Sequence, residues 1–258
     1  MTYSKGVFFR LTDSTQASWQ QELQFITSLH GLEHVELWIE NTHLTQKHFN
    51  WLNSHLKTYT KIIHAPFIGI QPASFNLPLR QAVTQVLNTT ITIGQKIGAQ
   101  LITAHLGSFL SYDSPASAIG RIESSFLRLL SRTQMPLLTI ENMPRKDSWQ
   151  QSAFSLTDLE LYWPKFSHTN FTLDIGHCLK SGEDYLQAIT DHHAHIKNIH
   201  LHDGTKDQDH QTLGTGILQL DSLLKLLDKL NYTGFLTLET IGHEATKKSW
   251  EILAQHSR

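Results

Sequence analysis

Residues 101–105 read Leu101-Ile102-Thr103-Ala104-His105, and residues 137–141 read Leu137-Leu138-Thr139-Ile140-Glu141: two short β-forming runs, each closed by an ionisable side chain. The same layout recurs on both sides of this pair. Lys61-Ile62-Ile63-His64 precedes it, and Phe171-Thr172-Leu173-Asp174, Ile199-His200-Leu201-His202 and Phe235-Leu236-Thr237-Leu238-Glu239 follow. Two further β-type runs end near Leu11 and Ile39, which makes eight. Between the runs lie segments of helical period, expected over residues 15–29, 79–97, 116–131 and 220–230. In the segment over residues 79–97, Leu79, Val83, Val86, Ile93 and Ile97 recur at spacings of mostly three and four, and Gly98 ends it. Strands alternating with helices in this way predict repeated βα units around a parallel sheet. The 258 residues match the roughly 250 typical of one (β/α)8 barrel, so the expectation is a single TIM barrel over residues 1–258.

In a parallel barrel, active-site residues gather where the strands end. Six consecutive strands here deliver an ionisable side chain to that rim: His64, His105, Glu141, Asp174, the pair His200 and His202, and Glu239. Several carboxylates at one depth repel unless a cation or bound protons neutralise them. Glu141 and Glu239, on the fifth and eighth strands, are expected to face each other across the mouth with Asp174 and His200 between them. A set of imidazoles and carboxylates without thiolate suits zinc or manganese and leaves coordination positions for a substrate. Four strands also carry a Thr two residues before the polar end: Thr103, Thr139, Thr172 and Thr237. Because strand side chains alternate faces, each hydroxyl is expected one layer below its partner, placed to orient it.

Composition narrows the function classes. Lys and Arg number 21 against 23 Asp and Glu, so no general basic field points to nucleic acid. The single cysteine, Cys178, excludes an internal disulfide and a Cys-based zinc site, and it reads as a small buried hydrophobe. Of the 17 histidines, His43, His48, His55, His192 and His193 fall in helical or loop stretches and read as surface residues. The N-terminus has no basic segment followed by an apolar run, and 18 uncharged apolar residues never run together; a soluble cytoplasmic protein without a membrane partner is expected. Exposed barrel helices leave a monomer or a homo-oligomer open.

His64-Ala65-Pro66, residues 101–107 (LITAHLG), Ile140-Glu141-Asn142, residues 173–177 (LDIGH), residues 199–204 (IHLHDG), residues 209–216 (DHQTLGTG) and Leu238-Glu239-Thr240 resemble the xylose isomerase-like barrel superfamily. That superfamily includes sugar phosphate isomerases and epimerases and the endonuclease IV type of repair enzyme. The resemblance implies two alternative chemistries. In the isomerase and epimerase branch, one metal is held at the positions of Glu141, Asp174, His200 and Glu239, the two glutamates shuttle protons, and His177 contacts a sugar or sugar phosphate. In the endonuclease branch, up to three zinc ions are held by His64, His105, Glu141, Asp174, His177, His200, His210 and Glu239 with an acid before His210. Here that acid is displaced by one position, to Asp209. A phosphoester, in DNA or in a small molecule, would be the substrate of that branch.

Further residues are expected at the mouth. Glu36 and Trp38 lie on one face of the second strand and point inward; Trp38 either stacks on a sugar ring or packs as a core aromatic. His202 shares a face with His200. Arg145 and Lys206, just beyond the fifth and seventh strands, are the cations placed to hold a substrate phosphate. Gly214 and Gly216 mark a tight loop beside the site.

Overall fold

A computed structural model describes residues 3–11, 16–110, 113–123, 136–145, 152–162 and 170–256. Its strands are β1 (Ser4–Arg10), β2 (His34–Trp38), β3 (Thr60–His64), β4 (Leu101–His105), β5 (Ser108–Phe109), β6 (Leu137–Glu141), β7 (Ser152–Ala153), β8 (Asn170–Asp174), β9 (Ile196–Leu201) and β10 (Phe235–Leu238). Eight of them close a parallel barrel in the order β1-β2-β3-β4-β6-β8-β9-β10, with β10 paired back onto β1. The expected TIM barrel is therefore the fold. Four strands end one residue short of the expected position, at Arg10, Trp38, Leu201 and Leu238. Ladder bonds nevertheless continue past three of these ends: Leu11 N–H donates to Trp38 O at 2.9 Å, Ile39 N–H to His64 O at 3.1 Å and Glu239 N–H to Leu201 O at 3.1 Å. The alternation of faces that places the rim residues is thus preserved.

The helices are α1 (Gln16–Thr27), α2 (Gln46–His55), α3 (Leu77–Ile97), α4 (Pro115–Ile122), α5 (Leu156–Tyr162), α6 (Ile175–Ser181), α7 (Tyr185–His192), α8 (Leu220–Lys229) and α9 (His243–Gln255). α3 starts two residues earlier than its apolar period suggests, because Pro78 suits a first helical turn. It ends at Gly98, whose φ of 68° is left-handed. The expected helix over residues 116–131 is seen as far as Ile122, and residues 124–131 lie outside the described part. β5 and β7 form a small antiparallel sheet in the loops after β4 and β6, a feature with no period in the sequence long enough to signal it. Among the described residues, no helix is long and apolar enough to cross a membrane.

Outward-facing strand residues such as Val7, Phe9, Val35, Leu37, Ile199 and Leu201 are buried in the main apolar core. Inside the barrel, polar residues dominate, and unpaired they would be costly. They are paired. The Thr172 hydroxyl meets Thr103 at 2.9 Å and Thr139 at 2.7 Å. Thr237 donates to Asn198 Oδ1 at 3.0 Å, and its hydroxyl also meets His34 Nε2 at 2.8 Å, with Ser4 on the far ring nitrogen of His34 at 2.9 Å. The threonines do lie below the rim residues, but they bond sideways and downward rather than up to their own rim partners.

Candidate metal centre and substrate cavity

His200 is the centre of the rim. Its Nε2 faces both Glu36 oxygens at 3.2 Å, and Asn198 Nδ2 donates to Glu36 Oε2 at 2.8 Å. Glu36 is fully buried, so its carboxylate serves these two partners and not a substrate, which corrects the expectation that it lines the mouth. With Nε2–H given to Glu36, loss of the second ring proton would leave Nδ1 of His200 with a lone pair. That atom lies 2.9 Å from Glu239 Oε2, 3.4 Å from Glu141 Oε1 and 3.8 Å from Asp174 Oδ2. Neither His200 Nδ1 nor Glu239 Oε2 has a directed hydrogen bond, although both atoms are buried. Three carboxylates converging on one imidazole nitrogen is an arrangement a cation resolves, and one nitrogen with three carboxylates fits a divalent ion such as zinc or manganese. The ligand-capable atoms of Glu141, Asp174, His200 and Glu239 lie within 4.8 Å of one another.

Electrostatics agrees with this reading. Burial alone would lower the proton affinity of His200, but the carboxylates of Glu36, Glu141 and Glu239 outweigh it and hold the imidazole well above its ordinary range. Burial would raise Glu141 and Asp174, yet the charges of His105 and His200 on the one, and of His177 and His202 on the other, hold both carboxyls low. A cation held by these groups would take the place of the extra proton on His200, which would leave on its binding.

Two further groups flank the first. His64, His105 and Glu141 form one, with His105 Nε2 at 2.9 Å and His64 Nε2 at 3.3 Å from Glu141 Oε2. His177, His202 and His210 form the other. His64, His177 and His210 each place Nδ1 on a backbone carbonyl, of Ala65 (3.0 Å), Asn142 (2.9 Å) and Glu239 (3.1 Å). Nδ1–H donation to those carbonyls leaves each Nε2 free as a ligand.

Other expected residues fall elsewhere. Asp209, expected as a ligand beside His210, pairs with Lys180 Nζ at 2.9 Å, and it is absent from the convergent groups. His202 is fully buried, meets Asp174 Oδ1 through Nε2 at 3.0 Å and accepts the His210 N–H on Nδ1 at 2.8 Å, and it does not line the cavity at Glu239. Arg145 and Lys206 are exposed and do not line the cavity at Glu239.

That cavity, of about 200 Å³, opens beside His64, His210 and Glu239. Its walls are mainly Phe8, Trp38, Phe67 and Ile241, with Arg10 among them. Trp38 stacks on Phe67 with 5.7 Å between ring centres and 20° between planes, and Glu40 accepts its indole N–H at 2.9 Å. Trp38 is thus a cavity wall. Three supporting residues were not singled out from the sequence. Asn142 clamps the Asp174 backbone, accepting its N–H at 2.7 Å and donating to its carbonyl at 3.0 Å. Asp203 gathers the N–H groups of Gly204 and Gly214, both at 2.8 Å, and Leu218 at 3.0 Å, and so holds the expected tight loop. Arg10 is the third; its place at a strand end was the one available signal. Cys178 is buried as expected, and burial pushes its thiol well above the usual range.

The sequence profile of the xylose isomerase-like TIM barrel family matches residues 25–258. The chain belongs to that family. An uncharacterised protein of Methanocaldococcus jannaschii is 24% identical to this xylose isomerase-like barrel over 221 residues, covering 81% of this chain and 79% of the relative. A probable endonuclease 4 of Mesomycoplasma hyopneumoniae is 29% identical over 180 residues, covering 64% of this chain and 63% of that one. Among solved structures, a D-tagatose 3-epimerase-like protein superposes with a TM-score of 0.84 at 20% identity, covering 98% of this chain and 97% of its own. The D-allulose 3-epimerase of Methylomonas sp. superposes with a TM-score of 0.81 at 11% identity, covering 99% and 97%.

Proposed function

We propose that this xylose isomerase-like barrel is a divalent-metal-dependent epimerase or isomerase of a sugar or sugar phosphate, with Glu141 and Glu239 as the proton carriers. The observation that carries this reading is the convergence of Glu141, Asp174, His200 and Glu239, of which Glu239 also lines a small aromatic-walled cavity. Ketose epimerases among the solved structures of like fold support it. A divalent cation held by those four residues supplies Lewis-acid stabilisation of the negative charge that develops on the substrate's oxygens. The chain does the rest. Glu239 takes the proton from the carbon beside the carbonyl and Glu141 returns one, each in its own direction across the mouth. Both carboxyls are held below their ordinary range despite the burial that would raise them, by His105 and His200 for Glu141 and chiefly by His200 for Glu239; Glu239 therefore stands ionised as the base, and Glu141 takes up a proton from water or a substrate hydroxyl before it returns one to the carbon. The walls of Trp38, Phe67 and Phe8 take the apolar face of the sugar and exclude water.

A second reading, metal-assisted hydrolysis of a phosphoester, is favoured by the two flanking histidine groups, which a one-metal epimerase does not need. A probable endonuclease 4 among the relatives points the same way. Metal content per chain, measured on protein purified without chelators or a tag, separates the readings. About one tightly held ion with deuterium incorporation into a ketose in D2O supports the epimerase. Glu239→Gln should then cut exchange about a hundred-fold or more while most of the metal stays. Two or three ions, lost on His64→Ala or His105→Ala, together with phosphoester cleavage and no exchange, would replace the epimerase by the hydrolase.

A further inference from the structure

Arg10 lines the cavity beside Glu239, His64 and His210, whose other walls are Phe8, Trp38, Phe67, Ile241 and Thr240. It projects from the end of β1, where its register partner on the neighbouring strand β2 is Trp38 and the flanking strand on the other side is β10. Its guanidinium is anchored at one corner only: Nη2 donates to Thr240 O at 3.1 Å. Glu22, the nearby acid, lies 3.9 Å from Nη1, beyond hydrogen-bond length. The Glu22 oxygens are already engaged, Oε1 by His243 Nε2 at 2.8 Å and Oε2 by the Arg10 backbone N–H at 3.3 Å. Among the described residues, most of the five guanidinium donors therefore have no directed partner, on a side chain about a quarter exposed. A planar donor fork held at its base and open at its edge matches an oxyanion.

We infer that Arg10 recognises an anionic substituent of the substrate, so that the preferred ligand is a small polyhydroxy ketone carrying a phosphate or a carboxylate away from its reacting carbon. This deepens the epimerase reading and rests on the same cavity. The site needs the anion to sit between Trp38 and the β10 end, while the carbonyl end reaches Glu239. In the mostly apolar cavity a guanidinium whose nearest acid stands at 3.9 Å gains more from a directly bonded anion than it would at the surface.

The test is calorimetric binding to the metal-loaded protein of D-fructose, D-fructose 6-phosphate and D-fructuronate, for the wild type, Arg10→Gln and Arg10→Lys, with thermal melting of each variant. The wild type is expected to bind one anionic ketose about ten-fold or more tightly than fructose, and which of the two it prefers names the anion. Arg10→Gln is expected to compress that ratio to within about two-fold, and Arg10→Lys to keep part of it, since Lys preserves the charge but not the fork. A wild type that binds fructose at least as tightly as either anion, or that binds neither anion, overturns the inference; so does a ratio unchanged in a folded Arg10→Gln. Proton exchange is read separately in the same samples. An anion preference without exchange removes the epimerase reading and leaves the Arg10 assignment, whereas exchange without an anion preference does the reverse.

Discussion

Replacing Glu36 by Gln tests whether the candidate metal centre is held from beneath. Glu36 is buried, and both its partners are donors: His200 through Nε2–H and Asn198 through Nδ2. A glutamine at this position has one oxygen for two donors, and its NH2 must confront the other. If Asn198 turned to offer its oxygen, it would withdraw that atom from Thr237, whose hydroxyl donates to it at 3.0 Å. If His200 instead accepted from the new amide, its proton would move to Nδ1, the atom that faces Glu239 at 2.9 Å and that must be unprotonated to bind metal. Either adjustment disfavours the cation. Changes to the outer partner of a metal-ligating histidine typically cost about 10- to 100-fold in affinity, or about 1.4–2.7 kcal/mol. Competition for Zn(II) or Mn(II) against a chromophoric chelator should therefore show Glu36→Gln weaker by that factor, with the same number of ions at saturation. Nitrogen-15 spectra of the metal-free protein should show His200 losing its second ring proton at lower pH in the variant, because the Glu36 charge that helps hold that proton is gone. Affinity within two-fold of the wild type in a variant that melts like the wild type would refute the reasoning.

Further outcomes follow from the barrel interior. Burial lowers His34 from about 6.5 to about 3, a loss of proton affinity that the charge of Glu36 only partly offsets. Between those values the unfolded chain binds the proton that the folded chain refuses, so this contribution to stability is intact above pH 6.5 and is lost as pH falls toward 3. Urea unfolding of the metal-free protein should show the wild type losing about 2 kcal/mol more than His34→Gln between pH 7 and pH 5; equal losses would mean that His34 is not the group responsible. A methyl group added at Gly176 would overlap the His202 ring, which is closed in between this glycine and Asp174. Gly176→Ala should cost about 1–3 kcal/mol in urea and weaken metal binding as Asp174 loses its support; unchanged values for both would show that His202 has room to move.

The eight strands, the closed parallel barrel and the rim of His64, His105, Glu141, Asp174, His200 and Glu239 follow from the sequence alone. Each strand is a short run of apolar and β-branched residues with its polar residue at a fixed end, and a period of two puts every such residue on the inner face. Tertiary structure decided what each inner residue does, because that depends on neighbours brought from distant parts of the chain. Glu36 and His200 are 164 residues apart, and their contact engages Nε2 of His200 and turns its Nδ1 toward Glu239. His202 and His200 are equivalent in the sequence, yet the bond from His210 N–H turns His202 into a strut. Asp209 was drawn off by Lys180, 29 residues away on α6. Arg10 became a cavity residue because barrel closure set the end of β1 between Trp38 and β10. Alternation along a strand is a local property of the backbone, whereas ligation, support and access depend on which side chains meet across the barrel.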